Sequence, residues 1–150
     1  MDTNPIIYQT KTATEKNIFL HLTDCNNNFT PPLSERTDLG SYAKKLFEKA
    51  VTFEAWSDGQ LIGLVAAYNS ADDKRSVFIT NISVKEEFMG KGIASLLLKN
   101  CIAHSVKNNY VEINLEVNKY NAPAISFYEK HQFKQSLTRG DDLTLKLEIK

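Results

Sequence analysis

Cysteine is scarce in this chain. Cys25 and Cys101 are the only two, they lie far apart, and neither belongs to a CxxC pair or has metal-ligand spacing. They read as reduced thiols of a cytoplasmic protein, and no metal site is expected. Excess charge is also missing: eighteen Lys and Arg balance eighteen Asp and Glu. That neutrality argues against a general nucleic-acid or anionic-membrane binder, since both partners need a basic surface, although it leaves room for a local basic funnel. No apolar run approaches the ~20 residues of a membrane span. Residues 1–20 are polar and periodic, unlike a signal peptide. Internal repeats and low-complexity tracts are absent as well. At 42% hydrophobic and 24% charged residues the composition excludes disorder. The 150 residues suit a single domain over 1–150. A chain of that length buries roughly two thirds of its unfolded surface and needs no staples.

What is present has a clear order. Residues 5–10 read as a short edge strand. Thr12 or Thr14 can cap a helix with Ile18, Phe19 and Leu22 on one face. Residues 26–32 form a loop with three asparagines and a Pro-Pro pair. Ser34, with Thr37 and Asp38, starts a second helix to about Lys49. A strand over 51–57 meets Asp58-Gly59, the strongest short hairpin signal in the chain, and returns over 61–68. A polar turn over 69–75 leads to a long strand over 77–84. A helix to about Lys107, a strand over 111–117, a helix from Asn121 to about Lys130, and strands near 133–137 and 143–149 complete the chain. The order predicts an α/β fold, a mixed sheet of about seven strands with about four helices on both faces.

The most informative stretch is 82–94, ISVKEEFMGKGIA. An apolar strand enters a charged loop that ends in Gly90-Lys91-Gly92, and an amphipathic helix follows at once through Ile93, Leu96, Leu97 and Cys101. Two glycines at a helix entrance let the backbone approach a ligand. They also leave helix N–H groups aimed at it from the positive end of the dipole. This is a site for a phosphate or pyrophosphate, and hence for a nucleotide-like cofactor. A Walker A loop does not fit, because GxxxxGK[ST] is not present. A dinucleotide fingerprint would use Gly90, Gly92 and Ser95, with Glu112 ~20 residues on as the ribose acid. Too few residues follow for its remaining βαβ units.

A third reading covers more of the chain. From about residue 51 to 133, and most densely over 82–98 and 115–133, the sequence resembles the GNAT superfamily of N-acetyltransferases. The superfamily's cofactor loop, (Gln/Arg)-x-x-Gly-x-(Gly/Ala), matches Met89-Gly90-Lys91-Gly92-Ile93-Ala94, with Met89 in place of the usual Gln or Arg. Its second signature matches Asn121, Ala122, Phe127-Tyr128 and Phe133, with Gln132 where Gly is usual. The resemblance implies acetyl-CoA as co-substrate, with its pyrophosphate on the backbone amides of the glycine loop through Ala94 and Ser95. It implies that the pantetheine arm pairs like an added strand with Asn81, Ile82, Ser83 and Val84. An N–H near Val84 would then polarise the thioester carbonyl. Tyr128 lies where the superfamily's general acid lies, and a phenol can protonate a leaving thiolate. The alternative for Tyr128 is a groove tyrosine packed beside Phe127.

Glu116 is the candidate base. Leu115-Glu116-Val117, Asn121 and Tyr128 together resemble the ribosomal-protein N-terminal acetyltransferase branch, in which the matching Glu deprotonates the amine through water. Apolar Leu115 and Val117 suggest burial of Glu116, which would raise its pKa. The bland readings are a solvent-facing strand residue or a lysine partner. Asn121 can touch the cofactor arm, cap its helix, or do both. Lys91 touches a phosphate or is simply solvated. His21, His104 and His131 lie on helical stretches without paired ligands, so no catalytic role is expected of them. Substrate recognition is expected on the first two helices and their loop, Phe29-Thr30-Pro31-Pro32-Leu33-Ser34 with Arg36 and Asp38. The expected acceptor is a small-molecule amine such as an amino sugar, attacked directly and without a covalent enzyme intermediate. A peptide N-terminal acetyltransferase and a non-catalytic acyl-CoA-binding regulator remain as rivals. No nucleic-acid or membrane partner is expected, and a homodimer stays open.

Overall fold

The computed structural model describes residues 5–70 and 75–149. Seven strands form one mixed sheet: β1 (Ile7–Thr10), β2 (Val51–Ser57), β3 (Gln60–Asn69), β4 (Ser76–Val84), β5 (Glu112–Asn118), β6 (Lys134–Arg139) and β7 (Asp142–Glu148). Four α-helices accompany it among the described residues: α1 (Glu15–Cys25), α2 (Leu39–Lys49), α3 (Ile93–Lys107) and α4 (Ala122–Lys130). The strand order is β1-β2-β3-β4-β5-β7-β6. The pairing of β4 with β5 is parallel; β1–β2, β2–β3, β5–β7 and β6–β7 are antiparallel. Of the polar turn expected over 69–75, residues 71–74 lie outside the described ones.

The chain divides into two compact units. One holds residues 5–67 and 81–101, the other 68–70, 75–80 and 102–149.

In the first unit, α1 begins at a reciprocal cap. The Asn17 N–H donates to Thr14 Oγ1 at 3.1 Å, and the Thr14 N–H donates to Asn17 Oδ1 at 2.8 Å. Its buried stripe is Ile18, His21, Leu22 and Cys25, the spacing of one helical face. The second helix starts later than the sequence suggests. Asp38 caps α2, accepting from the Ser41 N–H at 2.8 Å, while Ser34 belongs to a short 3-10 turn, Leu33–Glu35. The reason is local: the Asn26 side chain takes the Ser34 N–H at 2.7 Å and donates to Ser34 Oγ at 3.0 Å, so Ser34 braces the loop.

Asp58 and Gly59 both have positive φ, 51° and 74°, the signature of a type I′ hairpin between β2 and β3. The hairpin is not regular. Ala55 pairs with Gly63 but Trp56 pairs with Leu61, so Ile62 is an extra residue in β3. Glu54, wholly buried on β2, accepts from five donors: the Thr12 and Ala13 N–H groups, the Thr12 and Thr52 hydroxyls and the Trp56 indole. A buried carboxylate with this many donors clasps the β1–α1 connection to β2.

In the second unit β5 alternates as its sequence suggests. Ile113, Leu115 and Val117 are buried, and β7 answers with buried Leu143 and Leu145. The register pairs Leu115 with Leu145 and Val117 with Leu143. β6 is exposed along its length, as an outermost strand of polar residues should be.

Candidate active site

The glycine loop leaves β4 through tight local bonding. The Lys85 N–H donates to the Ile62 carbonyl at 2.9 Å, and a 3-10 turn over Glu86–Phe88 follows. Gly90 and Gly92 then adopt φ values of 79° and 80°. Side chains are strained in that region, which is why glycine stands there. A Cβ at either position would meet nothing within 4 Å, so the backbone is open to an incoming group. The first bond inside α3 runs from the Leu96 N–H to the Gly92 carbonyl at 3.1 Å. The N–H groups of Gly92, Ile93 and Ala94 therefore precede the helical ladder, at its positive end.

The loop is seated from below. Ile93 and Leu97 are buried. A Cβ on Gly63 of β3 would lie 3.0 Å from Ile93 Cγ2 and 3.1 Å from Leu97 Cδ1. The first turn of α3 thus packs close against the backbone of β3, and a Cβ on Gly63 would make Ile93 and Leu97 give way by a few tenths of an ångström. Met89, 47% exposed, stands where the superfamily usually has Gln or Arg. The exposed Lys91 holds its ammonium 5.5 Å from the Phe88 ring centroid, a cation–π contact beside the glycines. Ser95 is half-buried in the first turn.

On β4, Ile82 is half-buried, and Ser83 and Val84 are buried. The side chains of Asn81 and Ser83 turn to each other, with Ser83 Oγ 2.8 Å from Asn81 Oδ1. Ser83 Oγ also lies 2.9 Å from Nε2 of His21. His21 Nδ1 is 3.1 Å from the Leu61 carbonyl, and the ring is only 1% exposed. Burial pulls its pKa from 6.5 down to about 4. Cys25 Sγ packs 3.7 Å from Nε2, and burial pushes that thiol up to about 12. An Asp24–Lys85 ion pair of 2.9 Å lies nearby. Sequence reasoning gave His21 no partner. Its position on the stripe with Ile18, Leu22 and Cys25 is the signal that it is buried and must find one.

The remaining candidates lie in the second unit. The Asn121 side chain caps α4, accepting from the Ala124 N–H at 3.3 Å, and Pro123 fits the first helical turn. Tyr128 lies edge-on to Phe127 and Phe133, with ring centroids 5.3 and 6.0 Å away. The Phe133 N–H donates to the Tyr128 carbonyl at 3.1 Å, tying the end of α4 to its aromatic neighbour. The Tyr128 ring keeps some exposure, yet the protein around its hydroxyl pushes the phenol's pKa up by desolvation. At neutral pH it is a proton carrier, not a phenolate. Its hydroxyl has no hydrogen-bond partner among the described residues.

Glu116 does not show the burial its apolar neighbours suggested. Strand alternation sends it to the exposed face, opposite the Leu115 and Val117 side chains. It pairs in register with Thr144 and makes no hydrogen bond or ion pair among the described residues. No group of three His, Cys, Asp or Glu among the described residues could hold a metal, and no described helix is long and apolar enough to cross a membrane.

With this geometry in hand, the family can be stated. The sequence model of the Acetyltransferase (GNAT) family matches residues 17–133, and the chain belongs to that family. Two curated relatives match in part. An N-alpha-acetyltransferase of Saccharolobus solfataricus is 46% identical over 63 residues, covering 41% of this chain and 37% of its own length. An N-acetylaspartate synthetase of Danio rerio is 34% identical over 87 residues, covering 58% of this chain and 30% of its own. The matches thus span about a third of these relatives. The PaiA N-acetyltransferase of Thermoplasma acidophilum, solved in complex with coenzyme A, shares the fold at a TM-score of 0.76, with 18% identity over 95% of this chain and 99% of that one.

Proposed function

We propose that this chain is an acetyl-CoA-dependent N-acetyltransferase that acts on a primary amine by direct attack. The observation that carries the reading is the pair of left-handed, unobstructed glycines, Gly90 and Gly92, at the entrance of α3 immediately after β4. Backbone amides there suit the pyrophosphate of coenzyme A, and Lys91 can add charge. Residues 81–84 of β4 would carry the pantetheine arm, with the Val84 N–H on the thioester oxygen.

The chemistry is simple to balance. The amine nitrogen attacks the thioester carbon, a C–N bond forms and the C–S bond breaks. Tyr128, protonated at neutral pH, gives its proton to the departing thiolate. Glu116, exposed to water, takes the amine's proton through that water. Exposure suits a base that works through solvent better than one that touches the amine. Asn121 holds the start of α4 and so the position of Tyr128 on it.

The acceptor we favour is a small-molecule amine such as an amino sugar. A second reading, the α-amine of an amino acid or peptide, is favoured by the relatives, since one is an N-alpha-acetyltransferase and the other is named for N-acetylaspartate. Free CoA release across amino sugars, amino acids and short peptides separates the two. The cofactor assignment is tested by Gly92→Asp, which sets a carboxylate against the phosphates and a Cβ at φ 80°. Calorimetry should show acetyl-CoA binding lost from a folded protein; unchanged affinity would remove the loop from the site. Binding by the wild type without turnover on any amine would leave an acyl-CoA-binding regulator.

A further inference from the structure

Neither the family signature nor the proposed chemistry uses His21, yet it is a buried titratable group that touches β4 within residues 81–84. Its surroundings determine its protons. The Leu61 carbonyl can only accept, so Nδ1 carries a hydrogen. That carbonyl lies next to the extra residue Ile62, where the β2–β3 register shifts. In the neutral ring Nε2 is then an acceptor, and the hydroxyl of Ser83, 2.9 Å away, must donate to it. Ser83 has one proton, so the Asn81 amide, whose oxygen is placed 2.8 Å from Ser83 Oγ, must exchange its two equally shaped ends and offer an N–H there instead. The chain runs in one direction: Asn81 to Ser83 to His21 to the Leu61 carbonyl. It joins α1, β3 and β4 at the height where the Lys85 N–H meets the Ile62 carbonyl. The charged neighbours are the Asp24–Lys85 pair, and Cys25 lies against the ring as a neutral thiol.

We infer that His21 is a positioning residue for acyl transfer: through Ser83 it holds residues 81–84 of β4 in the alignment that presents the Val84 N–H to the thioester. This rests on the proposed reading of β4 as the acyl-arm strand. Ser83 then serves the cofactor through its backbone alone, its side chain being taken up by His21 and Asn81. The arm's distant end is held separately by the glycine loop, so loosening the His21 clasp should impair the reacting end and spare binding. Misplacement of a reacting group by about 1 Å can cost up to 10²-fold in rate.

Two substitutions at one position distinguish this role from packing. In His21→Gln the terminal amide reaches as far as Nε2, so its oxygen can accept from Ser83. In His21→Asn the amide stands where Nδ1 does, keeping the Leu61 contact and losing Ser83. Ser83→Ala removes the same link with the loss of one oxygen. With the best acceptor from the amine panel, and rates taken per folded protein, His21→Asn and Ser83→Ala should each lower kcat on the order of 10-fold. The KM for acetyl-CoA should stay within about twofold, because the pyrophosphate grip is untouched. His21→Gln should keep most of kcat. Long-range proton–nitrogen spectra of the wild type should show the Nδ1–H tautomer at His21. Wild-type kcat in folded His21→Asn and Ser83→Ala, equal losses in the Gln and Asn variants, or an Nε2–H tautomer would each overturn the inference. Absence of acetyl-CoA binding by the wild type, or of turnover with every amine, would instead bring down the enzymatic reading on which it stands.

Discussion

Burial of His21 carries a measurable consequence for acid stability. Desolvation dominates the ring's surroundings and lowers its pKa from 6.5 to about 4; the Leu61 carbonyl and Asp24 oppose that shift, and Lys85 reinforces it. The unfolded chain therefore binds a proton at this ring near pH 6.5, and the native protein binds none until about pH 4. Between those values the unfolded state holds one proton more than the native state, so stability rises with pH across the window and falls as acid is added. At 1.36 kcal/mol per pKa unit, the full loss by about pH 4 is about 3 kcal/mol, a large share of a typical domain's stability. The assay is urea unfolding of the wild type and His21→Gln at constant ionic strength from about pH 3.5 to about 7.5, a range that brackets the linkage. Carboxylates titrate in the same range, but they and the other two histidines are common to both proteins and cancel in the difference. The wild type should be the more stable at neutral pH, and its advantage should shrink by about 3 kcal/mol on acidification. An advantage that stays constant would mean that the ring is not held neutral, and the direction assigned to the His21–Ser83–Asn81 chain would fall with it.

Other expectations follow from single side chains. Glu54→Gln puts an amide N–H₂ where N–H and hydroxyl donors converge, so one or more donors must lose a partner. A loss of about 2–3 kcal/mol in urea unfolding is expected, the cost of leaving buried donors without a partner, and a loss near zero would show that the clasp is not needed. Tyr128→Phe should lower kcat by ~10²–10⁴-fold with acetyl-CoA affinity little changed; an unaltered kcat would reduce Tyr128 to its packing against Phe127 and Phe133. Glu116→Gln should lower kcat/KM by an amount that shrinks as pH rises, because more amine then arrives neutral, whereas a wild-type pH profile would take Glu116 out of the proton path.

The elements were legible where their signals are local. Asp58-Gly59 announces a type I′ turn because few residues tolerate two successive positive φ values, and both occur there. Asn121 lies one residue before the helix it caps, and the alternation of β5 is visible within seven residues. The start of the second helix is less legible, for a local reason of a different kind. Ser34, Thr37 and Asp38 are all competent caps, and only the Asn26–Ser34 bonds take Ser34 out of the competition. Capping preference ranks residue types; it does not know which of them already has a partner eight positions away.

The candidate site divides along the same line. Gly90 and Gly92 were legible because their conformation is a property of the residues themselves. The clasps around them were not, because each closes over a long stretch of chain: Thr12 meets Glu54 across 42 residues, and His21 meets Ser83 across 62. Glu116 shows how a local pattern can mislead. Apolar Leu115 and Val117 suggested burial, but in a strand immediate neighbours point to the opposite face, so their burial argues for its exposure. His21 is the reverse case. On a helix, residues three and four apart share a face, so Ile18, Leu22 and Cys25 drag the imidazole inward with them. A buried imidazole has two nitrogens to satisfy, and the helical period alone therefore implies that two partners exist. Which two depends on where β3 brings the Leu61 carbonyl and β4 the Ser83 hydroxyl, both set only when the strands pair.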